Sequence, residues 1–499
     1  MTLDLSLGVR RSLDAALEAH ADAGAIAFAG SWRSWRWLQR TMQAVDDALA
    51  QAGVGAGDAV ALVVRNRPQH VAAIASQLVG RRTTAMIYAA QSETGIAADI
   101  GRVAVRAVLA DLQDWSEAAV AAARAAGVVG LSLADDLEAP VGVIVRPSAV
   151  AAPACRRPGV AFEILSSGTT GAPKRVPLSW SAVEQAVEDG ASVYAAENSE
   201  ISPAIVVHPI GSVGGVSFLV PTLVHGQPIA LLEKFILEPW VAAIRAYRPV
   251  RTSVPPAAVA MLLDADTPKA DLASLTVIGV GGGKLEPALQ RRFEARYGIP
   301  VLPAYGATEF GGVIANWSLD LHRQFGETKI GSVGRARPGV ELRIVDPETS
   351  RPLAAGDVGL LEAKAPRVGP DFIRTTDLAS LDADGFLFLH GRSDQAINRG
   401  GFKVLPETVA DALRAHPGVG DAAVLGLPDA RLGEVPVAAV EPRVGQSPPS
   451  PDEIVAFARE RLLAYQVPAR VIVVDALPRT GSMKVSIPEV RMLFPTDRP

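Results

Sequence analysis

Across most of the chain, short wholly apolar runs alternate with stretches of helical spacing, and that rhythm constrains the fold more than any other feature. Leu38, Met42, Val45 and Leu49 place one apolar face on a helix over residues 37–52, and residues 58–64 follow as an apolar strand. Residues 68–78 resume helix and 103–110 read as another strand, with similar segments at 205–207, 239–247 and 275–280. Strands that are apolar throughout are buried on both faces, as in largely parallel sheets covered by helices. The pattern predicts an α/β fold of layered sheets and helices. There is no fixed-period repeat and no low-complexity tract.

A chain of 499 residues exceeds what one ordinary core supports, so two or more domains are expected. The character changes after Gly385-Phe386-Leu387, where Gly391-Arg392-Ser393-Asp394 reads as a connector. A compact segment follows, with Leu405, Val409 and Leu413 on one helical face, strands at 422–427 and 435–440, and a second helix marked by Ile454, Phe457, Ala458 and Leu462. This predicts a large multi-subdomain N-terminal domain over 1–391 and a small mobile α+β C-terminal domain over 392–499.

Composition removes several function classes. With 49% apolar and 20% charged residues the chain reads as globular, and a net charge of −5 without a basic run argues against nucleic acid as a partner. The single cysteine, Cys155, excludes an intramolecular disulfide framework and a cysteine-based metal cluster. Residues 1–20 carry charges throughout and lack the apolar core of a signal peptide, so the expected location is cytoplasmic. Residues 204–232 carry no formal charge, but Pro209, Gly211, Gly214, Gly215, Pro221, Gly226 and Pro228 interrupt them. A membrane span would not tolerate that, and a buried strand, loop and helix is expected instead.

Chemistry concentrates in Ser166-Ser167-Gly168-Thr169-Thr170-Gly171-Ala172-Pro173-Lys174, directly after the apolar run 162–165. Glycines let backbone approach an anion, hydroxyls and amides donate to it, and lysine adds a point charge. The order of glycine, lysine and hydroxyl is not that of a Walker loop.

This string resembles the phosphate loop of the adenylate-forming superfamily, which includes acyl- and aryl-CoA synthetases. The resemblance continues in order along nearly the whole chain. Gly281-Gly282-Gly283 resembles the adenine-site motif, and Tyr305-Gly306-Ala307-Thr308-Glu309 the family's Tyr-Gly-x-Thr-Glu signature. Thr375-Thr376-Asp377 stands in the place of Thr-Gly-Asp, Gly391-Arg392 and Asp394 in that of the ribose contact and hinge, and Pro478 to Lys484 in that of the terminal motif.

The resemblance implies an enzyme that binds ATP and Mg²⁺ and activates a carboxylic acid as an acyl-adenylate. Lys484 would be the catalytic lysine, Thr308 a donor to a phosphate oxygen and Glu309 the Mg²⁺ ligand, a hard oxygen donor suited to that ion. Asp377 would accept from the ribose hydroxyls with Arg392 nearby, although a surface ion pair is also compatible with those two residues. Asp394 would be the hinge between two orientations of the small domain, and Gly400-Gly401 would border a channel for CoA, unless they form a simple turn. His208, Ser212, Gly214 and Gly311 are placed at the acid pocket, where a lone histidine beside apolar strands can equally be structural.

The sequence departs from the family pattern at Arg175, which adds positive charge after the loop, and at Thr376, Gln395 and Met483, the last of which replaces a glycine before the terminal lysine. No carrier-protein segment follows the last unit, which favours CoA as acyl acceptor. The alternative is transfer to an amine, as in an amide bond synthetase, or to a separate carrier protein.

Overall fold

The computed structural model describes residues 5–146, 155–166, 174–195 and 202–494. Ser167, Gly168, Thr169, Thr170 and Gly171 of the glycine-hydroxyl string lie outside these. The strand Ala59–Val64 is buried at every position and sits at the centre of a seven-stranded sheet. Its neighbours Thr83–Tyr88 and Ala107–Asp111 are parallel to it, and antiparallel strands close both edges. Helices cover both faces, which is why these strands show no polar alternation. Trp35–Gln51, Pro68–Val79 and Val213–Val224 pack one face, and Glu93–Arg102 with Glu117–Ala125 the other.

A second sheet orders Arg251–Val254, Val277–Val280, Val301–Ala307, Gly312–Asn316 and Arg335–Ala336. Its first three strands are parallel, so their C-terminal ends share one edge, the usual place for ligands in such sheets. Two smaller sheets complete the large domain. One joins Ala204–Val206, Ile229–Leu231, Gly24–Phe28 and Ser31–Ser34; the other is an antiparallel meander of Glu341–Val345, Gly359–Lys364, Ile373–Leu381 and Leu387–Arg392.

The last sheet is built on the long hairpin Val419–Asp429 and Gly433–Pro442, extended by Ile397–Arg399, Phe402–Val404 and Arg470–Val473. Helices Pro406–Arg414 and Pro451–Arg459 cover one face, and Ile487–Met492 the other. The molecule is thus a large N-terminal domain with a small C-terminal one.

Local differences from expectation have simple causes. The strand expected over 103–110 begins at Ala107, because Val103 still caps the helix Glu93–Arg102. The uncharged stretch is strand Ala204–Val206, helix Val213–Val224 and strand Ile229–Leu231. Among the described residues no helix is long and apolar enough to cross a membrane.

Candidate active site

The parallel strands of the second sheet deliver one wall of the candidate site. Val277–Val280 runs directly into Gly281, Gly282 and Gly283, and Val301–Ala307 into a single 3-10 turn, Thr308–Phe310. Phe310 is fully buried and anchors that turn, leaving the Glu309 carboxylate exposed. Gly306 is required here, since a Cβ on it would lie 2.3 Å from the Gly312 carbonyl oxygen. Side chains at the turn can therefore face a ligand while the backbone stays fixed.

Tyr305 donates its phenol proton to Asp377 Oδ2. Burial first, and then the charge of Asp377, hold the tyrosine pKa well above its ordinary value, so it remains a neutral donor. Asp377 is oriented by its own amide, which donates to Thr375 Oγ1 at 3.0 Å. Asp377 also faces Arg392 across the paired strands Ile373–Leu381 and Leu387–Arg392. Arg392 in turn donates to both oxygens of Asp394, at 2.9 and 2.8 Å, which raises its pKa. The residue expected to hinge the two domains thus sits one contact from the residues expected at the ribose.

Lys484 arrives at this wall from the other domain. Its Cε lies 3.7 Å from where a Cβ on Gly282 would stand, a position (φ +82°) that favours glycine in any case. The lysine keeps solvent contact, but protein crowds its amine. Desolvation, and then the positive charge of Arg392, pull its pKa below the ordinary lysine value against the opposing effect of Asp377. Tyr305, Asp377, Arg392, Gly282 and Lys484 therefore form one cluster, assembled from residues just over two hundred positions apart at the extremes.

Other expected site residues are placed differently. Ser166 ends one strand and Lys174 begins the next, so they flank the undescribed loop. Arg175 follows Lys174 in the same strand. Strand alternation turns it to the opposite face from Lys174, where Nη1 donates to the Met86 carbonyl at 2.8 Å and burial lowers its pKa. Gly400 and Gly401 form the turn between Ile397–Arg399 and Phe402–Val404, with φ of +58° and +88°. That hairpin alone requires both glycines.

On the acid side, Ser212 is the N-cap of helix Val213–Val224: its hydroxyl accepts from Gly215 N at 3.0 Å and donates to Pro209 O at 2.8 Å. His208 Nε2 meets Ser253 Oγ at 3.1 Å, and burial lowers its pKa, which favours the neutral ring. Gly214 lies in the first turn of the same helix, and Gly311 (φ +65°) terminates the turn that carries Glu309.

Two structural residues here escaped the sequence reading. Asn66 Nδ2 donates to His208 O and Leu232 O at 2.9 and 3.0 Å, and its Oδ1 accepts from Ile210 N at 2.9 Å. It ties the seven-stranded sheet to the loop that carries His208. Arg367 packs against Gly311 and Gly312 and reaches Asp189, which Arg337 also holds.

Comparison with known proteins agrees with this assembly. A family model described as "AMP-binding enzyme" matches residues 13–370, and one for the AMP-binding enzyme C-terminal domain matches 408–484. A 2-succinylbenzoate–CoA ligase of Geobacillus kaustophilus is 31% identical over 484 residues, 90% of each chain. A 4-coumarate–CoA ligase-like protein of Arabidopsis thaliana is 30% identical over 342 residues, 64% of this chain and 59% of that protein. The chain thus spans about three fifths of the length of that curated relative. The solved amide bond synthetase McbA of Marinactinospora thermotolerans superposes with a TM-score of 0.79 at 25% identity, covering 98% of this chain and all of its own. With both domain models matched in order, the chain belongs to the AMP-binding enzyme family, the adenylate-forming enzymes related to acyl-CoA synthetases.

Proposed function

We propose that the protein activates a carboxylic acid with ATP and passes the acyl group to CoA. In the first step a carboxylate oxygen attacks the α-phosphorus, the α–β phosphoanhydride bond breaks, and pyrophosphate leaves. In the second the CoA thiolate attacks the acyl carbonyl, AMP leaves, and the thiol proton passes to solvent. The observation that carries this reading is Lys484, held over Gly282 beside Asp377 and Arg392. Two anions must meet in the first step, and a cation brought to that point stabilises the charge that develops between them. Tyr305 and Asp377 would hold the adenosine, with Asp377 accepting from ribose hydroxyls. Ser166, Lys174 and the intervening loop would hold the phosphates, helped by Thr308. The exposed carboxylate of Glu309 suits Mg²⁺, which when bound would offset charge on the phosphates. Gly400 and Gly401 would border the approach of CoA.

ATP–pyrophosphate exchange across short, medium, long and aromatic acids tests the first step, and product analysis with and without CoA tests the second. Exchange with no acid would overturn the reading. A second acceptor has a specific support in the likeness to an amide bond synthetase over the full chain. Acyl-adenylate consumed equally well by amines without CoA would favour that acceptor.

A further inference from the structure

An unbroken series of polar contacts runs from the adenine-side glycines to the loop that carries Lys484. Lys284, the residue after Gly283, forms an ion pair with Asp411 on helix Pro406–Arg414, and its Nζ lies 3.8 Å from Glu286 Oε1. Arg414, on the same helix, donates through Nη1 to Asp411 and Glu407 at 2.9 and 2.8 Å. Its Nε donates to Asp421 Oδ1 at 2.9 Å. The other oxygen of Asp421 accepts from Arg479 Nη2 at 2.7 Å, and Arg479 Nη1 donates to the Met483 carbonyl at 3.4 Å. Lys484 is the next residue.

We propose that Lys284, Asp411, Arg414, Asp421 and Arg479 act together as a positioning network. It sets the small domain so that Lys484 reaches the nucleotide wall. An isolated exposed ion pair would be too weak for this role. Here each member shares partners with the next and most are half-buried, so losing one link loosens all of them. Lys284 is the informative link. Its ion-pair partners are Asp411, across the domain boundary, and its near neighbour Glu286, whereas Arg414 also bonds Ala422 O within the small domain. The functional part of the inference rests on the adenylation reading; the placement of the loop does not.

The test uses the full chain without ligand. Hydrogen–deuterium exchange of residues 479–484 reads whether the loop is held, and ATP–pyrophosphate exchange reads the first step. Lys284→Asp, which sets like charge against Asp411, should lower protection of the loop and slow pyrophosphate exchange, each about tenfold. Its KM for ATP should stay within about twofold, because no nucleotide contact is lost. Lys284→Arg should restore both readouts, and consumption of preformed acyl-adenylate should not slow in either variant. Unchanged loop protection in Lys284→Asp would overturn the network. If the unsubstituted protein supports no exchange with any acid, the adenylation reading fails, and loop protection still decides whether the network exists.

Discussion

Tyr305, Asp377 and Arg392 stand on strands fixed by sheet pairing on at least one side, and the glycines 281–283 end a strand paired on both. Lys484, by contrast, stands on a short turn outside any sheet, closed by Thr480 N to Lys484 O at 2.7 Å and Met483 N to Thr480 O at 2.8 Å, with Ser486 N to Pro478 O at 2.8 Å behind them. The wall is preorganised by backbone; the arm is placed by side chains. On the proposed function, an enzyme that must bind a nucleotide firmly and later admit a different nucleophile would gain from that division, since binding geometry would survive the withdrawal of Lys484.

The largest effect should come from the tip of the arm. Lys484→Ala is expected to slow pyrophosphate exchange by about a hundredfold or more while the melting temperature stays unchanged, since Lys484 is an exposed residue. Exchange within a few-fold of the unsubstituted rate would show that the wall alone is catalytic. The support of the wall behaves oppositely. Asn66→Ala leaves the His208 and Leu232 carbonyls and the Ile210 amide without their partner. It should therefore cost about 2–3 kcal/mol of stability, read by denaturant or thermal unfolding. Next is Asp377→Asn, which keeps shape but loses an acceptor. KM for ATP should rise about tenfold with loop protection at 479–484 unchanged, the reverse of the split expected for Lys284→Asp.

The wall residues and Lys484 were named in the sequence through the ordered resemblance to the family's motifs, not through residue chemistry alone. The network behind Lys484 was not. Lys284, Asp411, Arg414 and Asp421 each look like solvated surface charges, and only the fold brings residues 284 and 411 together. Asn66 was hidden for a similar reason, since its three partners lie more than 140 positions away. The Met86 contact of Arg175 was not anticipated, although in a strand beginning at Lys174 period two already turns Arg175 to the face opposite that lysine. Among structural elements, the alternation of the large domain was readable, whereas the start at Ala107 depended on a helix cap.

The arm should also respond to pH. Glu286 is pushed up to about 7 by burial, then by the charge of Asp411, against the opposing pull of Lys284 and Arg414; Glu407 completes the group facing it. Were the small domain to move off, this carboxyl would return toward its ordinary 4.5. The docked arrangement therefore binds the extra proton. Its advantage is complete below about 4.5 and is lost as pH rises through about 7. Loop protection, corrected for intrinsic exchange, should be severalfold greater at pH 6 than at pH 8, and Glu286→Gln should flatten the difference. Equal pH dependence in both proteins would remove Glu286 from the arm.

The smallest effect separates stability from placement. Met483 has φ +64°, a left-handed conformation that costs a non-glycine residue roughly 1 kcal/mol, yet its side chain packs against the core of the large domain. The strain belongs to a local turn closed within residues 480–484, so it would persist if the small domain moved. The packing against the large domain would then be lost. Met483→Gly should therefore melt as high as the unsubstituted protein or slightly higher, while protection of the 479–484 loop falls about threefold. Met483→Ala should lose the same protection without the gain in melting temperature. If melting and protection move together in both variants, Met483 is not an anchor and the charge network alone places the arm.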